Sequence, residues 1–162
     1  MPKLVLIGGP TGVGKTSALN GLKERIAKSA ILDADDVWRI SEDLAVAGTR
    51  HIAIGNVIDV MHGYYDAGCE VGILSWVFAR PELYEPIISG LGGCTEEILQ
   101  IYLVATPKCL EERLSSRGDL DRLEYAKSRL ELIENLLFPK IDTSGKTKAQ
   151  VVDEILQYVQ RS

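Results

Sequence analysis

The 162-residue sequence predicts a single α/β domain in which a parallel sheet lies between two layers of helices. Three observations support this prediction. Short apolar runs alternate with longer segments whose apolar residues recur at helical spacing. A glycine-rich stretch follows the first apolar run and leads into the first helical segment. Acidic residues follow the second run, at the carboxyl end of a strand, where open parallel sheets bind their ligands.

The apolar runs predict strands at residues 3–7, 30–32, 70–78, 98–104 and 138–141. The helical segments predict helices at residues 15–28, 49–67, 81–91, 108–117, 120–137 and 147–160. Residues 37–40 are expected to form a helix or turn, and residues 41–48 a connector. Because neither a repeat nor a linker interrupts this alternation, residues 1–162 are predicted to form one domain.

Composition narrows the function classes. The net charge of −5 and the pI of about 5.1 argue against nucleic acid as the main partner, because phosphate backbones favour a basic face. The three cysteines, Cys69, Cys94 and Cys109, are widely spaced and suggest neither a zinc site nor a disulfide framework. The chain opens directly into a strand and lacks a long apolar run, so we expect a cytoplasmic protein without a signal peptide or membrane span. A monomer and a homodimer are both compatible with the sequence.

Residues 9–16 fit the pattern G-x-x-x-x-G-K-[ST], known as the P-loop or Walker A motif. Its glycines allow the backbone to curl so that N–H groups point inward and bind phosphate at a helix N-terminus. Lys15 is expected to reach the β- and γ-phosphates, and the Thr16 hydroxyl to bind Mg²⁺. The predicted nucleotide-binding residues in this stretch are Gly9, Gly12, Val13, Gly14, Lys15, Thr16 and Ser17.

Two acids at the end of the second strand are candidates for catalysis. One of Asp33 and Asp35 is suited to hold Mg²⁺ through water, and the other to accept the proton of an attacking hydroxyl. The alternative is a helix cap with solvated turn acids, in which Asp35 or Asp36 caps the following helix. The sequence leaves open which of the three is the base.

Arg113 and Arg117 lie four residues apart and so share one helix face. Their guanidinium groups are suited to stack on adenine or to bind phosphate oxygens; the alternative is a solvated face that pairs with nearby acids. Arg122 and Arg129 are secondary candidates. Residues 142–145 follow the last strand, and there Ser144 and Gly145 either contact the adenine edge or form a plain capped turn.

Residues after the second and third strands are predicted to form the acceptor side. Aromatic side chains there are suited to line a substrate pocket, and arginines to bind an acidic group; the alternative for the aromatics is core packing. The candidate substrate-binding residues are Asp35, Trp38, Arg39, Trp76 and Arg80.

Over nearly its whole length the chain resembles the small P-loop kinases: shikimate kinase, gluconate kinase, chloramphenicol phosphotransferase and the adenylate-kinase-like nucleotide kinases. Asp33-Ala34-Asp35 is similar to the Asp-Ser-Asp of shikimate kinases, in which the second acid contacts the acceptor hydroxyl and the first lies near Mg²⁺. Residues 110–117 resemble the entry to the lid, where the first arginine stacks on adenine and the second reaches the phosphates. The resemblance implies a P-loop NTPase fold with strand order 2-3-1-4-5 and a short mobile lid around residues 113–123.

The resemblance does not extend to the acceptor. The third strand ends Leu74-Ser75-Trp76, without the acid that motor-type ATPases carry there, and no Asn-Lys-x-Asp guanine-binding motif is present. The sequence therefore predicts a kinase that uses ATP and Mg²⁺ to phosphorylate a hydroxyl of a small metabolite or antibiotic-like molecule. The alternatives are a nucleoside or nucleotide kinase, which would need Arg39, Arg50 or Arg80 for an acceptor phosphate, and a nucleotide-binding switch module.

Overall fold

The structure is a computed structural model that describes residues 1–41, 44 and 49–161. Its described residues contain one parallel sheet of five strands in the order β2-β3-β1-β4-β5. The strands are β1 Lys3–Gly8, β2 Ser29–Asp33, β3 Val71–Trp76, β4 Glu97–Val104 and β5 Lys140–Asp142. The predicted fold class and strand order are confirmed.

Six α-helices connect and flank the strands in the described part of the chain. They are α1 Lys15–Arg25, α2 Arg50–Asp66, α3 Pro81–Leu91, α4 Pro107–Arg117, α5 Leu123–Glu134 and α6 Lys148–Arg161. Short 3-10 helices precede α2 and α5, at Ala34–Val37 and Leu120–Arg122. None of the helices described is long and apolar enough to cross a membrane.

Several predicted boundaries are wrong by a few residues, for local backbone reasons. Helix α1 ends three residues early because Ile26 is extended and Lys28 adopts a positive φ of 51°. The helix predicted at residues 120–137 divides into a 3-10 turn and the shorter α5. Strand β5 begins at Lys140 rather than 138, since Pro139 has no N–H to donate to a strand ladder. Most of the predicted connector at 41–48 lies outside the described residues.

The core forms one apolar layer on each face of the sheet. In β1, Val5 and Ile7 pack on the side of α1 and α6, whereas Leu4 and Leu6 pack on the side of α2 and α3. All four side chains are fully buried. A strand covered on both faces is apolar at every position, which explains why β1 appears in the sequence as an uninterrupted apolar run.

Close packing at the end of β1 fixes the segment that follows β3. A Cβ on Gly8 would lie 2.3 Å from the ring of Tyr102, so only glycine fits there without a shift. The Tyr102 hydroxyl donates to the Phe78 carbonyl at 2.8 Å and accepts from the Gln100 amide at 2.6 Å. Phe78 is buried with a positive φ of 43°, a conformation that bulky residues rarely adopt. The buried tyrosine therefore holds the chain in this conformation just before Arg80.

We expect Tyr102→Phe to lower the free energy of unfolding by about 1–3 kcal/mol, because the buried Phe78 carbonyl would lose its hydrogen-bond donor. Urea denaturation followed by circular dichroism measures the change. Tyr64→Phe is the matched control, since Tyr64 is half-buried and its hydroxyl makes no hydrogen bond to any described residue. Equal losses of unfolding free energy in the two variants would contradict a stabilising role for the Tyr102–Phe78 hydrogen bond.

Candidate active site

The glycine-rich loop leaves β1 and opens the N-terminus of α1 toward solvent. Gly12 and Gly14 have φ values of +82° and +106°, which side chains other than glycine rarely adopt. Gly14 caps α1 without any side-chain hydrogen bond, and the first turn of the helix carries no acid. The first N–H groups of α1 are therefore available to an anion, in keeping with the Walker A pattern.

Lys15 places its ammonium inside the curl of this loop. Its Nζ donates to the carbonyls of Gly9 and Pro10 at 2.9 and 3.0 Å. Burial lowers the pKa of Lys15 to about 8, although the charges of Asp33 and Asp35 act in the opposite direction. No salt bridge joins Lys15 to a described carboxylate. A bound anion would supply the missing counter-charge and stabilise the protonated lysine.

Thr16 and Asp33 supply a hydroxyl and a carboxylate next to this ammonium. The Thr16 hydroxyl lies 3.5 Å from Oδ2 of Asp33, while Oδ1 of Asp33 accepts from the Asp35 backbone N–H at 3.1 Å. Within the residues that the structure describes, no group of three or more acidic, histidine or cysteine side chains could hold a metal alone. This donor set fits Mg²⁺, which takes a few protein oxygens and completes its shell with phosphates and water.

Asp35 lies on the other side of the same cleft and is oriented by a tryptophan. Nε1 of Trp76 donates to Oδ1 of Asp35 at 3.0 Å. Partial burial and the charge of Asp33 raise the pKa of Asp35, whereas the Trp76 hydrogen bond and Lys15 act to lower it. Asp36, the third acid of this segment, is exposed and pairs with Arg39 at 2.6 Å. A cavity of about 110 Å³ brings Asp33 and Asp35 together with Lys15 and leaves Asp36 outside.

The two arginines of α4 have different surroundings. Arg117 borders the cavity that contains Lys15, Asp33 and Asp35. Arg113 donates to the carbonyls of Val13 and Thr143 at 3.1 and 2.9 Å, and so ties α4 to the glycine-rich loop. Neither forms an ion pair with a described acid, so the alternative of a solvated, acid-paired face has no support in the structure.

A cavity of about 360 Å³ lies beside the loop. It is lined by Gly12, Val13, Gly14, Ser17, Ala18, Arg113, Ser116, Arg117, Thr143, Lys146, Thr147, Lys148 and Val151. Ser144 and Gly145 are not among these residues. The Ser144 hydroxyl instead accepts from the Thr106 N–H at 2.8 Å, and Gly145 provides a turn with φ +68°. Thr143 belongs to the stretch 142–145 that the sequence indicated, whereas Lys146, which follows that stretch, was missed.

A larger cleft, of about 750 Å³, opens on the opposite side of Lys15. Its walls are Thr11, Lys15, Asp35, Trp38, Arg39, Trp76, Val77, Arg122 and Tyr125. An adjoining recess of about 110 Å³ adds Arg50, Ala79, Arg80, Leu83 and Arg129. The candidate acceptor residues Trp38, Arg39, Trp76 and Arg80 therefore lie together, and Tyr125 was not foreseen. Arg122 and Arg129 lie on this side, and neither lines the 360 Å³ cavity.

Ser75 occupies the end of β3, where motor-type ATPases carry an acid. It is fully buried, and its hydroxyl finds no hydrogen-bond partner in the described part of the chain. It pairs in register with Ile7 of β1 and Asp33 of β2. Asp33 thus approaches the loop from the neighbouring strand end and supplies a carboxylate that position 75 lacks.

Neither a family model nor a curated protein sequence matches the chain. Solved structures do. A tunicamycin resistance protein of Deinococcus radiodurans aligns with TM-score 0.76 and 23% identity over 98% of this chain and 96% of its own. A gluconokinase of Sinorhizobium meliloti aligns with TM-score 0.75 and 17% identity over 99% and 93%. A shikimate kinase of Aquifex aeolicus aligns with TM-score 0.65 and 16% identity over 97% and 96%.

The similarity spans almost the whole of each chain. The resemblance to small P-loop kinases is therefore confirmed at the level of the fold. Sequence identities below 25% support a shared fold but not a shared substrate, so the function has to be argued from the site. The chain has the fold of the small P-loop kinases.

Proposed function

We propose that this protein is a kinase that transfers the γ-phosphoryl group of Mg²⁺–ATP to a hydroxyl of a small molecule. The observation that carries the proposal is that Lys15 and Asp35 line the same cavity. A phosphate-binding ammonium and a carboxylate of raised pKa face the same space from opposite sides. That arrangement suits phosphoryl transfer, in which positioning and charge neutralisation supply most of the rate.

On the nucleotide side, the loop N–H groups and Lys15 would hold the β- and γ-phosphates. Thr16 and Asp33 would hold Mg²⁺, which, when bound, neutralises the charge that develops on the phosphate oxygens. Arg113 and its neighbours around the 360 Å³ cavity would contact the base and ribose. Arg117, which borders both cavities, would contact the transferred phosphoryl group.

On the acceptor side, Asp35 would accept the proton of the attacking hydroxyl. Its position at the boundary between the phosphate cavity and the larger cleft allows it to contact an acceptor there. The Trp76 hydrogen bond would hold the carboxylate in one orientation, which reduces the ordering required when the acceptor binds. Trp38, Arg39 and Arg80 would contact the rest of the acceptor.

Residues 113–123 would act as a short lid on the single domain of residues 1–162. Helix α4 ends at Arg117, and Gly118 follows with φ +76°, a point at which the backbone reverses before the 3-10 turn. Movement of this segment would bring Arg117 toward the phosphates and exclude water, which limits hydrolysis of ATP before the acceptor binds. A nucleotide kinase is the second candidate, because Arg50, Arg80 and Arg129 line the acceptor recess.

We expect Mg²⁺–ATP turnover to depend on an acceptor and on both faces of the cavity. The measurement is ADP release across sugars, sugar acids, shikimate-like alcohols, nucleosides, nucleoside monophosphates and hydroxylated antibiotics. With the acceptor that stimulates turnover, Lys15→Ala should abolish activity, and Asp35→Asn should lower kcat by about 10²–10⁴-fold, the usual contribution of a general base. Asp153→Asn is the matched control, since Asp153 pairs with Arg25 and lines neither the cavity of Lys15 nor the acceptor cleft. ATP binding without acceptor-stimulated turnover would favour the switch module instead.

Nucleotide binding should become proton-linked at high pH. The pKa of Lys15 is about 8 in the free protein, so most molecules hold a neutral lysine at pH 9, whereas bound phosphates favour the ammonium form. Binding of Mg²⁺–ADP should therefore take up close to one proton at pH 9 and almost none at pH 7. Calorimetry in two buffers of different ionisation enthalpy measures the uptake. In Lys15→Arg, which stays charged, the uptake at pH 9 should disappear; its persistence would assign the proton to another group.

Trp76→Phe should move the acidic limb of the kcat–pH profile to higher pH. The indole N–H lowers the pKa of Asp35, so its removal raises that pKa and leaves the base protonated over a wider acidic range. Phenylalanine keeps the edge-on contact with Phe78, whose centroid lies 6.1 Å away. In Trp38→Phe the limb should stay in place, whatever the change in acceptor binding, because the Trp38 indole N–H makes no hydrogen bond to Asp35 or to any other described residue. If the acidic limb does not shift in Trp76→Phe, the Trp76 hydrogen bond does not affect the pKa of the base.

A further inference from the structure

The phosphate cavity and the acceptor cleft meet at Thr11. Among the described residues, Lys15, Asp35 and Thr11 line both the cavity that contains Asp33 and the cleft of about 750 Å³. Lys15 and Asp35 have proposed roles on the two sides of the transfer. Thr11 lies at the same junction, and the Walker A pattern leaves position 11 unspecified, so its side chain has no role yet.

Thr11 is the one residue within positions 9–14 whose side chain can form a hydrogen bond. The other five are three glycines, Pro10 and Val13, and Val13 is buried in the core. The Thr11 hydroxyl makes no hydrogen bond to any described residue. A hydroxyl supplies one donor and two acceptor lone pairs, and all of them are available here to a ligand in either cavity.

The backbone on both sides of Thr11 is held in place. The carbonyls of Gly9 and Pro10, which precede it, accept from the Lys15 ammonium at 2.9 and 3.0 Å. On the other side, a Cβ on Gly12 would lie 3.1 Å from a leucine of α4, so the loop packs closely against that helix. The fold therefore positions the threonine before a ligand binds, as a group that acts on a transferring phosphoryl must be positioned.

A neutral donor suits the place between Lys15 and Asp35. The Lys15 ammonium can only donate, and an ionised Asp35 can only accept and repels the oxygens of a phosphoryl group. A lysine or arginine at position 11 would supply a donor, but its charge would lower the pKa of Asp35 and weaken that carboxylate as a base. A threonine hydroxyl donates to a phosphoryl oxygen without adding charge.

We propose that the Thr11 hydroxyl donates a hydrogen bond to an oxygen of the γ-phosphoryl group as that group moves from the nucleotide to the acceptor. The inference rests on the proposed kinase function and adds a catalytic residue to it. The acceptor oxygen forms the new bond to phosphorus, the bond to the β–γ bridging oxygen breaks, and the acceptor proton goes to Asp35. Thr11 keeps its own proton throughout. Because the contact is with the γ-phosphate, Thr11 should distinguish ATP from ADP.

Nucleotide affinities test this contact directly. Thr11→Val replaces the hydroxyl with a methyl group and keeps the branch at Cβ. We expect the Kd of the Mg²⁺ complex of the β,γ-imido analogue of ATP to rise about tenfold, the usual effect of losing a hydrogen bond to a charged group. The Kd of Mg²⁺–ADP should change by less than about twofold, because ADP has no γ-phosphate to lose the bond. Calorimetry measures both constants.

Kinetics test the same contact during transfer. With the acceptor that stimulates ADP release, Thr11→Val should lower kcat/KM by about 10- to 100-fold. Thr11→Ser keeps the hydroxyl and should restore most of the rate and of the affinity for the imido analogue. Ser89→Ala is the matched control, since it removes an exposed hydroxyl of α3 that lines neither cavity, and it should change no constant. If circular dichroism shows that Thr11→Val does not fold, Thr11→Ala takes its place.

The affinities decide the Thr11 contact, and the acceptor assay decides the kinase. A selective loss of affinity for the imido analogue supports the contact even if no acceptor is phosphorylated, in which case only the kinase proposal fails. If the analogue binds Thr11→Val as tightly as it binds the wild type, the contact is overturned, and acceptor-stimulated turnover then leaves the kinase proposal intact. Equal losses of affinity for the analogue and for ADP also overturn the contact, because they indicate a distorted loop. If the wild-type protein binds neither nucleotide, both proposals fail.

Discussion

A half-buried ammonium without a carboxylate in contact is the constraint around which this structure is arranged. Lys15 is held by two backbone carbonyls inside the glycine-rich loop, and burial lowers its pKa to about 8. Nearby Asp33 and Asp35 support its charge from a distance, but neither forms a salt bridge with it. The Lys15 ammonium therefore lacks a contacting counter-charge until an anion binds. In the proposed function, the polyphosphate of the nucleotide would satisfy the ammonium and the open N–H groups of α1 together.

The sheet explains why these groups meet. β1 lies at its centre, and the register with β3 and β2 brings Ile7, Ser75 and Asp33 into one row at the carboxyl edge. Gly8 is packed so closely against Tyr102 that the chain leaves β1 along a single path into the loop. The same tyrosine holds the Phe78 carbonyl after β3. The nucleotide side and the acceptor side are thus fixed by packing at one end of two adjacent strands.

The sequence predicted the features whose signals are local. The strand run, the glycine-rich loop and the Pro81 start of α3 each depend on neighbouring residues, and the structure agrees with them. The shifts at α1 and β5 depend on backbone conformation that periodicity does not report. Contacts between distant segments left no local signal: the Trp76–Asp35 bond spans 41 residues and the Arg113–Val13 bond spans 100. That Trp76 contacts substrate stays a prediction; its hydrogen bond to Asp35 is a contact that the sequence did not indicate.

The candidate site has two halves, one proposed to bind the nucleotide and one the acceptor. Local sequence signals report the first half and miss most of the second. The nucleotide half is concentrated in one loop and the helix after it, because phosphate binding needs consecutive N–H groups and one lysine. The acceptor half is assembled from the ends of β2 and β3 and from α2, α3 and α5, each of which contributes one or two side chains. A substitution in any of these elements changes the recess without disturbing the loop. In the proposed kinase, the way of binding nucleotide can therefore stay the same while the acceptor changes.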